Sequence, residues 1–579
     1  VVRAFIVLIL AGAGVCAQTR IMPLSEVRAG MKATGRTVFS GSAIADFQAE
    51  ILGVLENVGP KQSIILARLS GGPLDKTGVL QGMSGSPVYI DGRLIGAVAL
   101  SFPFSKEPVA GIRPVEEMLS ADPAPPPRAA LRELAPRGDY LFGDARLTEI
   151  ATPFWASGFT RAALDHFAPQ LRAAGLEPVQ GVSGGGRPQA LPAGARPRLE
   201  PGSMISVQLI TGDLAAGADG TVTHVDGDRV YAFGHRFVGT GDTELPFARA
   251  EVITLLASQN ISFKISSPKE WLGVISQDRT TALAGRLGRR ATMLPVDITV
   301  RSRTGAARDW RYRMEMVRDR LLAPLLLQMA AYSAIDATER TAGVSSIALK
   351  GRLEVEGAPA PLRFENVFAA ELGAPQMVAG SLAAPAAAIL QSGFDQLKLK
   401  SIALDLEVTN EKRLLTLDSV WCSRREVRPG EKVEIAAVFT GENDTAVSRT
   451  ISYAVPPGAP PGTLYFTVAD GPSMNLANYR QFLLTPPRSA PQLLDFLNGL
   501  HSNMNAWVRV WWSQPSWQIQ GEILPAPPPS LTLLLARGQG QNATAQPQPG
   551  SATVAEMKMD GEAGFQFSGT RTVQIEVRE

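Results

Sequence analysis

The stretch with the most pointed chemistry is Gly82-Met83-Ser84-Gly85-Ser86-Pro87. A serine hydroxyl becomes a useful nucleophile only when a neighbour accepts its proton in the transition state. Glycines on either side let the backbone turn tightly, leave room for a substrate and aim N–H groups at a forming oxyanion. Gly, Ser and Pro are also ordinary turn residues, so the same letters fit a plain loop between strands. The usual proton acceptor is histidine, whose pKa lies near neutrality. The chain has four, His166, His224, His235 and His501. His235 is the candidate base: it follows Phe233-Gly234 at the end of a strand-like run and leads into a glycine-containing turn. His224 reads as mid-strand and His166 as part of a helix. A third group would orient the imidazole, and two acids are open for it, Asp242 after the turn and Asp75 before the serine. Asp226 and Asp228 read as turn residues.

These side chains need a scaffold of strands. The sequence is rich in Gly (55) and Pro (43), with 7% aromatic residues, a composition that favours short strands and turns over helical bundles. With 579 residues it is too long for one core. A net charge of +2 and the lack of a long basic run argue against nucleic acid as a partner. Residues 1–17, VVRAFIVLILAGAGVCA, read as a secretory signal with Arg3 ahead of an apolar run, so the protein is expected to be exported, periplasmic or extracellular, and to meet membrane only through that segment. Cys16 falls in the signal and leaves Cys422 alone, so no intrachain disulfide is expected. The spacing of His and Cys supports no metal site, and no cofactor is expected.

The pattern predicts a serine-bearing barrel half at 18–122, a linker and helical insertion at 123–202, and a histidine-bearing barrel half at 203–300. An α+β region at 301–400, an immunoglobulin-like sandwich at 401–475 and a β-rich C-terminal region at 476–579 follow. Helices are expected at 161–174 (started by Thr160), 316–334, 382–397 and 491–500. The C-terminal regions carry no catalytic constellation and are expected to bind another protein or serve a structural role.

The serine segment from Gly78 to Val88, with Asp91-Gly92-Arg93-Leu94-Ile95-Gly96-Ala97-Val98, resembles the nucleophile segment of the SpoIVB family of sporulation serine peptidases. Gly220-Thr221-Val222-Thr223 with Ala232-Phe233-Gly234-His235, and Leu272-Gly273-Val274-Ile275-Ser276-Gln277-Asp278, are similar to that family's histidine segment and the strands after it. The resemblance spans about residues 20–300. It implies a mainly β, trypsin-like double barrel followed by β-sandwich-like domains. Ser84 would be the nucleophile, His235 the general base, and the N–H groups of Gly82 and Ser84 the oxyanion hole, acting on a protein or peptide substrate. Two features depart from the family. The serine segment precedes the histidine segment, as if the halves were exchanged, and the family's acid would fall near Ser70, with Asp75 displaced from it. A Ser–His dyad, another acid, or an inactive peptidase-derived binding scaffold are the consequences to be told apart.

Overall fold

The computed structural model describes residues 20–579 except 121–139, 143–144, 181–186, 193, 259–261, 304–307, 339–341, 444, 485, 520–521, 526 and 538–544. The expected signal segment and the proline-rich stretch at 121–135 therefore lie outside the described residues. Strand makes up 54% of the protein and helix 18%, so the class is mainly β. Two compact units result. The first holds Val1–Ser157, Ala168–Leu209 and Ala216–Ala291; the second holds Gly158–Phe167, Ile210–Ala215 and Thr292–Glu579.

In the first unit, alternating apolar residues build a closed barrel. Its strands are β1 (Lys32–Ser40), β2 (Ala43–Gly59), β3 (Gln62–Ser70), β4 (Pro87–Ile90), β5 (Arg93–Ser101) and β6 (Val109–Pro114). They pair in the order β4-β1-β2-β3-β6-β5, and β4 also pairs with β5, which leaves no free edge. Phe47, Ile51, Ile65, Leu69, Val88, Val98 and Ile112 fill its interior together with Leu80 and Met83 of the serine segment. The short helices α1 (Leu74–Thr77) and α2 (Val115–Leu119) flank that segment and follow the last strand. Asp91 and Gly92 both take positive φ (50° and 70°), the two-residue turn that suits the twist of the β4–β5 hairpin.

A second closed path follows in the same unit. It consists of β7 (Met204–Gly212), β8 (Ala215–Asp226), β9 (Arg229–Ala232), β10 (Gly241–Leu256), β11 (Phe263–Asp278) and β12 (Leu283–Leu287). The order is β8-β9-β12-β11-β10-β7, and β7 pairs back onto β8.

The second unit carries the strands Leu294–Ser302, Arg308–Met316, Ala342–Glu356, Leu362–Leu372 and Lys398–Thr409 with the helices Leu322–Thr338 and Ala374–Leu390. Both helices are displaced from their expected spans. Asp319 accepts the N–H groups of Leu321 and Leu322 at 2.9 Å and so starts the first one later, after a strand that ends at Met316. Gly373, at φ 88°, starts the other earlier, with Pro375 in its first turn. The helix Arg161–Ala173 begins as expected, with Thr160 Oγ1 accepting from the Ala163 N–H at 3.3 Å. A sandwich closes the chain. Its core joins Leu415, Leu417, Val433 and Phe439 to Val508, Val510, Phe567 and Ile575, so residues from both 401–475 and 476–579 share one interior. Lys398–Thr409, at the start of the expected sandwich, instead pairs with Leu294–Ser302 and Ala342–Glu356.

Candidate active site

The serine loop, residues 81–86, is held from both sides. Gly82 and Gly85 adopt φ of 87° and 93°, values that glycine reaches without steric cost. A methyl group on Gly85 would lie 2.0 Å from the Thr221 carbonyl oxygen and 2.5 Å from the Phe233 nitrogen. The loop therefore presses directly on β8 and on the start of the histidine turn. Thr221 and Thr223, two apart on β8, face the loop together and donate their hydroxyls to the carbonyls of Gly82 (2.9 Å) and Gly85 (2.7 Å). The Thr221 N–H donates to the Ser84 carbonyl at 2.9 Å.

The backbone N–H groups of the loop divide into two sets. Those of Gln81, Met83, Gly85 and Ser86 donate to Ser262 O, Leu80 O, Val98 O and Met83 O at 2.9, 3.1, 2.8 and 2.9 Å. Those of Gly82 and Ser84 donate to no acceptor among the described residues. Buried N–H groups are nearly always paired, so two open donors flanking one serine are unusual. The Ser84 hydroxyl is itself fully buried and has no hydrogen-bond partner. Leaving such a group unsatisfied costs about 1–3 kcal/mol.

His235 lies just past β9, in a bend that Phe233 and Gly234 create by both taking φ 70°. A non-glycine residue at such a φ is strained, by about 1–2 kcal/mol. The bend is held close to the serine strand. A methyl on Gly234 would sit 3.1 Å from Ala99 Cβ and 3.5 Å from the Val98 carbonyl, the same carbonyl that accepts the Gly85 N–H. His235 Nδ1 is 2.6 Å from the Arg236 carbonyl oxygen. A carbonyl can only accept, so Nδ1 carries the proton and the neutral ring has its lone pair on Nε2, the tautomer a general base requires. The imidazole is 1% exposed and its ring meets Phe233 edge-on at 5.9 Å.

The residue that sequence reasoning missed is Asp278, at the end of β11. Its buried carboxylate accepts the N–H groups of Phe237 (2.8 Å), Val238 (2.9 Å), Gly239 (2.7 Å) and Thr240 (3.2 Å). It thereby fixes the turn that follows His235. Burial pushes its carboxyl pKa up, and the four backbone donors pull against that shift. The available signal was Asp278 closing the Leu272-to-Asp278 segment, to which no role was attached. The two acids singled out from sequence lie elsewhere. The Asp242 carboxylate accepts from Gln277 Nε2 at 2.7 Å, with Arg279 at 3.5 Å, and its side chain is about half exposed. Asp75 is exposed in the first turn of α1.

The other histidines have evident structural surroundings. His166 stacks on Tyr332 at 5.3 Å, His224 on Tyr231 at 6.2 Å, and His501 Nε2 lies 3.3 Å from Glu556. Burial lowers the pKa of both His224 and His501. Cys422 is a half-buried free thiol whose pKa burial pushes up to about 11, which leaves it unreactive at neutral pH.

Residues 14–119 match the family described as SpoIVB peptidase S55. The matched stretch contains the Ser84 loop and all six strands of the first barrel, while His235 and Asp278 lie beyond it. The likeness to SpoIVB serine peptidases is that of this stretch. No curated protein and no solved structure gives a significant match.

Proposed function

We propose, taking that family match as the premise, that the protein is an exported serine endopeptidase in which Ser84 is the nucleophile and His235 the general base. Ser84 Oγ would attack the scissile carbonyl carbon while its proton passes to His235 Nε2. The N–H groups of Gly82 and Ser84 would receive the oxyanion. Collapse of the tetrahedral intermediate would expel the amine, which takes the proton from His235, and water would then hydrolyse the acyl-serine by the same steps. The observation that carries this reading is the pair of N–H groups without acceptors on either side of a buried, unbonded serine hydroxyl. Such preorganised donors have a physical reason to exist when charge develops beside them. On this reading the Arg236 carbonyl helps to orient the imidazole, as a carboxylate does in a Ser-His-Asp triad.

A second reading has one observation in its favour. Ser84 and His235 are 0% and 1% exposed, so a substrate has no open path to them without a rearrangement. A peptidase-derived binding scaffold would tolerate that closure. Labelling of the folded full chain with a fluorophosphonate separates the two. A peptidase is labelled, loses the label in Ser84→Ala, and keeps it in Ser86→Ala; absence of labelling in the folded wild type selects the scaffold.

A further inference from the structure

Beneath the serine loop lies a buried lysine that the proposed chemistry does not use. Lys264, near the start of β11, is 2% exposed. It touches the loop in three ways. Its backbone N–H donates to the Gln81 carbonyl at 3.2 Å. Its methylenes floor Gly82, since a methyl there would lie 3.4 Å from Lys264 Cδ and 3.5 Å from its Cβ. Its ammonium donates to Thr37 Oγ1 at 2.7 Å, and the same oxygen accepts the Ser86 hydroxyl at 3.0 Å. One residue thus meets the loop at Gln81 and Gly82 and reaches Ser86 through Thr37, on both sides of the open N–H groups.

The charged group facing Lys264 is Asp219 of β8, itself buried, whose carboxylate accepts from Trp155 Nε1 at 3.1 Å and from the Ser266 hydroxyl. β1 and the serine loop bring only uncharged groups to it: Thr37, Gln81, Gly82 and Ser86. A cavity of about 10 Å³, lined in part by Trp155, Asp219, Lys264 and Ser266, leaves room for no more than about one water. The ammonium is therefore held by fixed partners rather than by solvent, which is an expensive way to build a mere filler.

We propose that Lys264 is a positioning residue of the serine site: through Thr37 and Ser86 its ammonium holds residues 82–86 in the conformation that keeps the Gly82 and Ser84 N–H groups aimed at the oxyanion position. The charge makes the bond to Thr37 stronger than a neutral amine would. Burial brings the Lys264 pKa down to about 7, against the opposing pull of Asp219. The proposal rests on Ser84 being the nucleophile for its catalytic meaning, but the bracing itself is measurable without activity.

The test is hydrogen exchange of the peptide covering residues 78–90 in the full chain, corrected for the intrinsic pH dependence of exchange. Wild type is compared with Lys264→Arg, Thr37→Val, Lys264→Met and the charge-balanced Lys264→Met/Asp219→Asn pair. The double variant guards against unfolding caused by an orphaned Asp219, and circular dichroism verifies the fold. Bracing predicts at least tenfold lower protection of this peptide in the folded Lys264→Met/Asp219→Asn and Thr37→Val proteins, with other barrel peptides unchanged. Lys264→Arg, which keeps the charge, retains protection. Unchanged protection in the two folded variants overturns the proposal. Fluorophosphonate labelling provides the second readout: its rate should fall in the folded Lys264→Met/Asp219→Asn and Thr37→Val proteins and be retained in Lys264→Arg. If no variant and no wild type is labelled while the exchange result holds, the peptidase reading fails and the brace stands.

Discussion

At the scale of single residues, Asp278 is the most consequential side chain after Ser84 and His235. Four N–H groups depend on its carboxylate, and the turn they form begins at the residue whose carbonyl orients His235. An amide in its place has one acceptor oxygen for four donors. Asp278→Asn is expected to lower stability by about 2 kcal/mol and to slow Ser84 labelling at least tenfold, while Asp242→Asn, at the surface, leaves both within about 0.5 kcal/mol of wild type. Thermal melts and labelling rates check the pair; equal effects of the two substitutions would remove Asp278 from its role. Lys264 carries a pH signature of its own. Its folded pKa, about 7, lies below the ordinary lysine value of 10.5, so between those pH values the unfolded chain binds more protons. Stability contributed by this group therefore rises with pH above 7. The thermal midpoint should climb between pH 7 and 9, and Lys264→Met should flatten that climb.

At the scale of elements, the site is a meeting of two loops across one strand. β8 presents Thr221 and Thr223 to the serine loop, and its neighbour β9 delivers the Phe233–Gly234 bend. Close approach of backbones makes this joint intolerant of added atoms. Gly85→Ala would place a methyl against two backbone groups at a φ of 93° and is expected to cost at least about 3 kcal/mol, together with loss of labelling. Gly78→Ala shares a positive φ but meets nothing within 4 Å, so its cost should be that of the backbone alone, about 1–3 kcal/mol. Equal melting temperatures for the two variants would contradict this packing. Strand periodicity and turn chemistry made most of these elements readable: the Asp91-Gly92 hairpin, the Asp226-to-Asp228 turn and the Thr160 cap all act locally. Met316 and Val317 stand ahead of the apolar run that starts at Leu321 and extend the expected helix too far back; they end a strand and its connection, and the Asp319 cap decides where the helix Leu322–Thr338 begins.

At the scale of the molecule, the chain passes back and forth between its two units. Gly158–Phe167 and Ile210–Ala215 belong with Thr292–Glu579, although they are flanked in sequence by first-unit residues. Ile210, Thr211 and Gly212 pair with Met316, Glu315 and Met314. A chain cut at residue 291 would leave these segments without the strands they pair with. It is expected to melt at least 5 °C lower than the full chain or to aggregate, rather than to behave as a free-standing enzyme; an unchanged first-unit melting transition would show the units to be separable.

The sequence alone determined the local conformation around the proposed site. The Gly-Met-Ser-Gly-Ser-Pro loop, the glycine before His235, the closed mainly β framework and the family resemblance all follow from short-range rules, because turn conformations and strand periodicity depend on neighbouring residues. Tertiary structure alone decided which groups support that site. Asp278, Lys264, Thr37 and the Thr221–Thr223 pair come from strands remote in sequence from the loops they hold, and nothing in their own neighbourhoods says which loop each will meet. An acidic or basic side chain looks the same in a sequence whether water or a buried backbone will surround it. Only the closing of the second barrel against the first removed the water and turned Asp278 and Lys264 into fixed partners of the two loops.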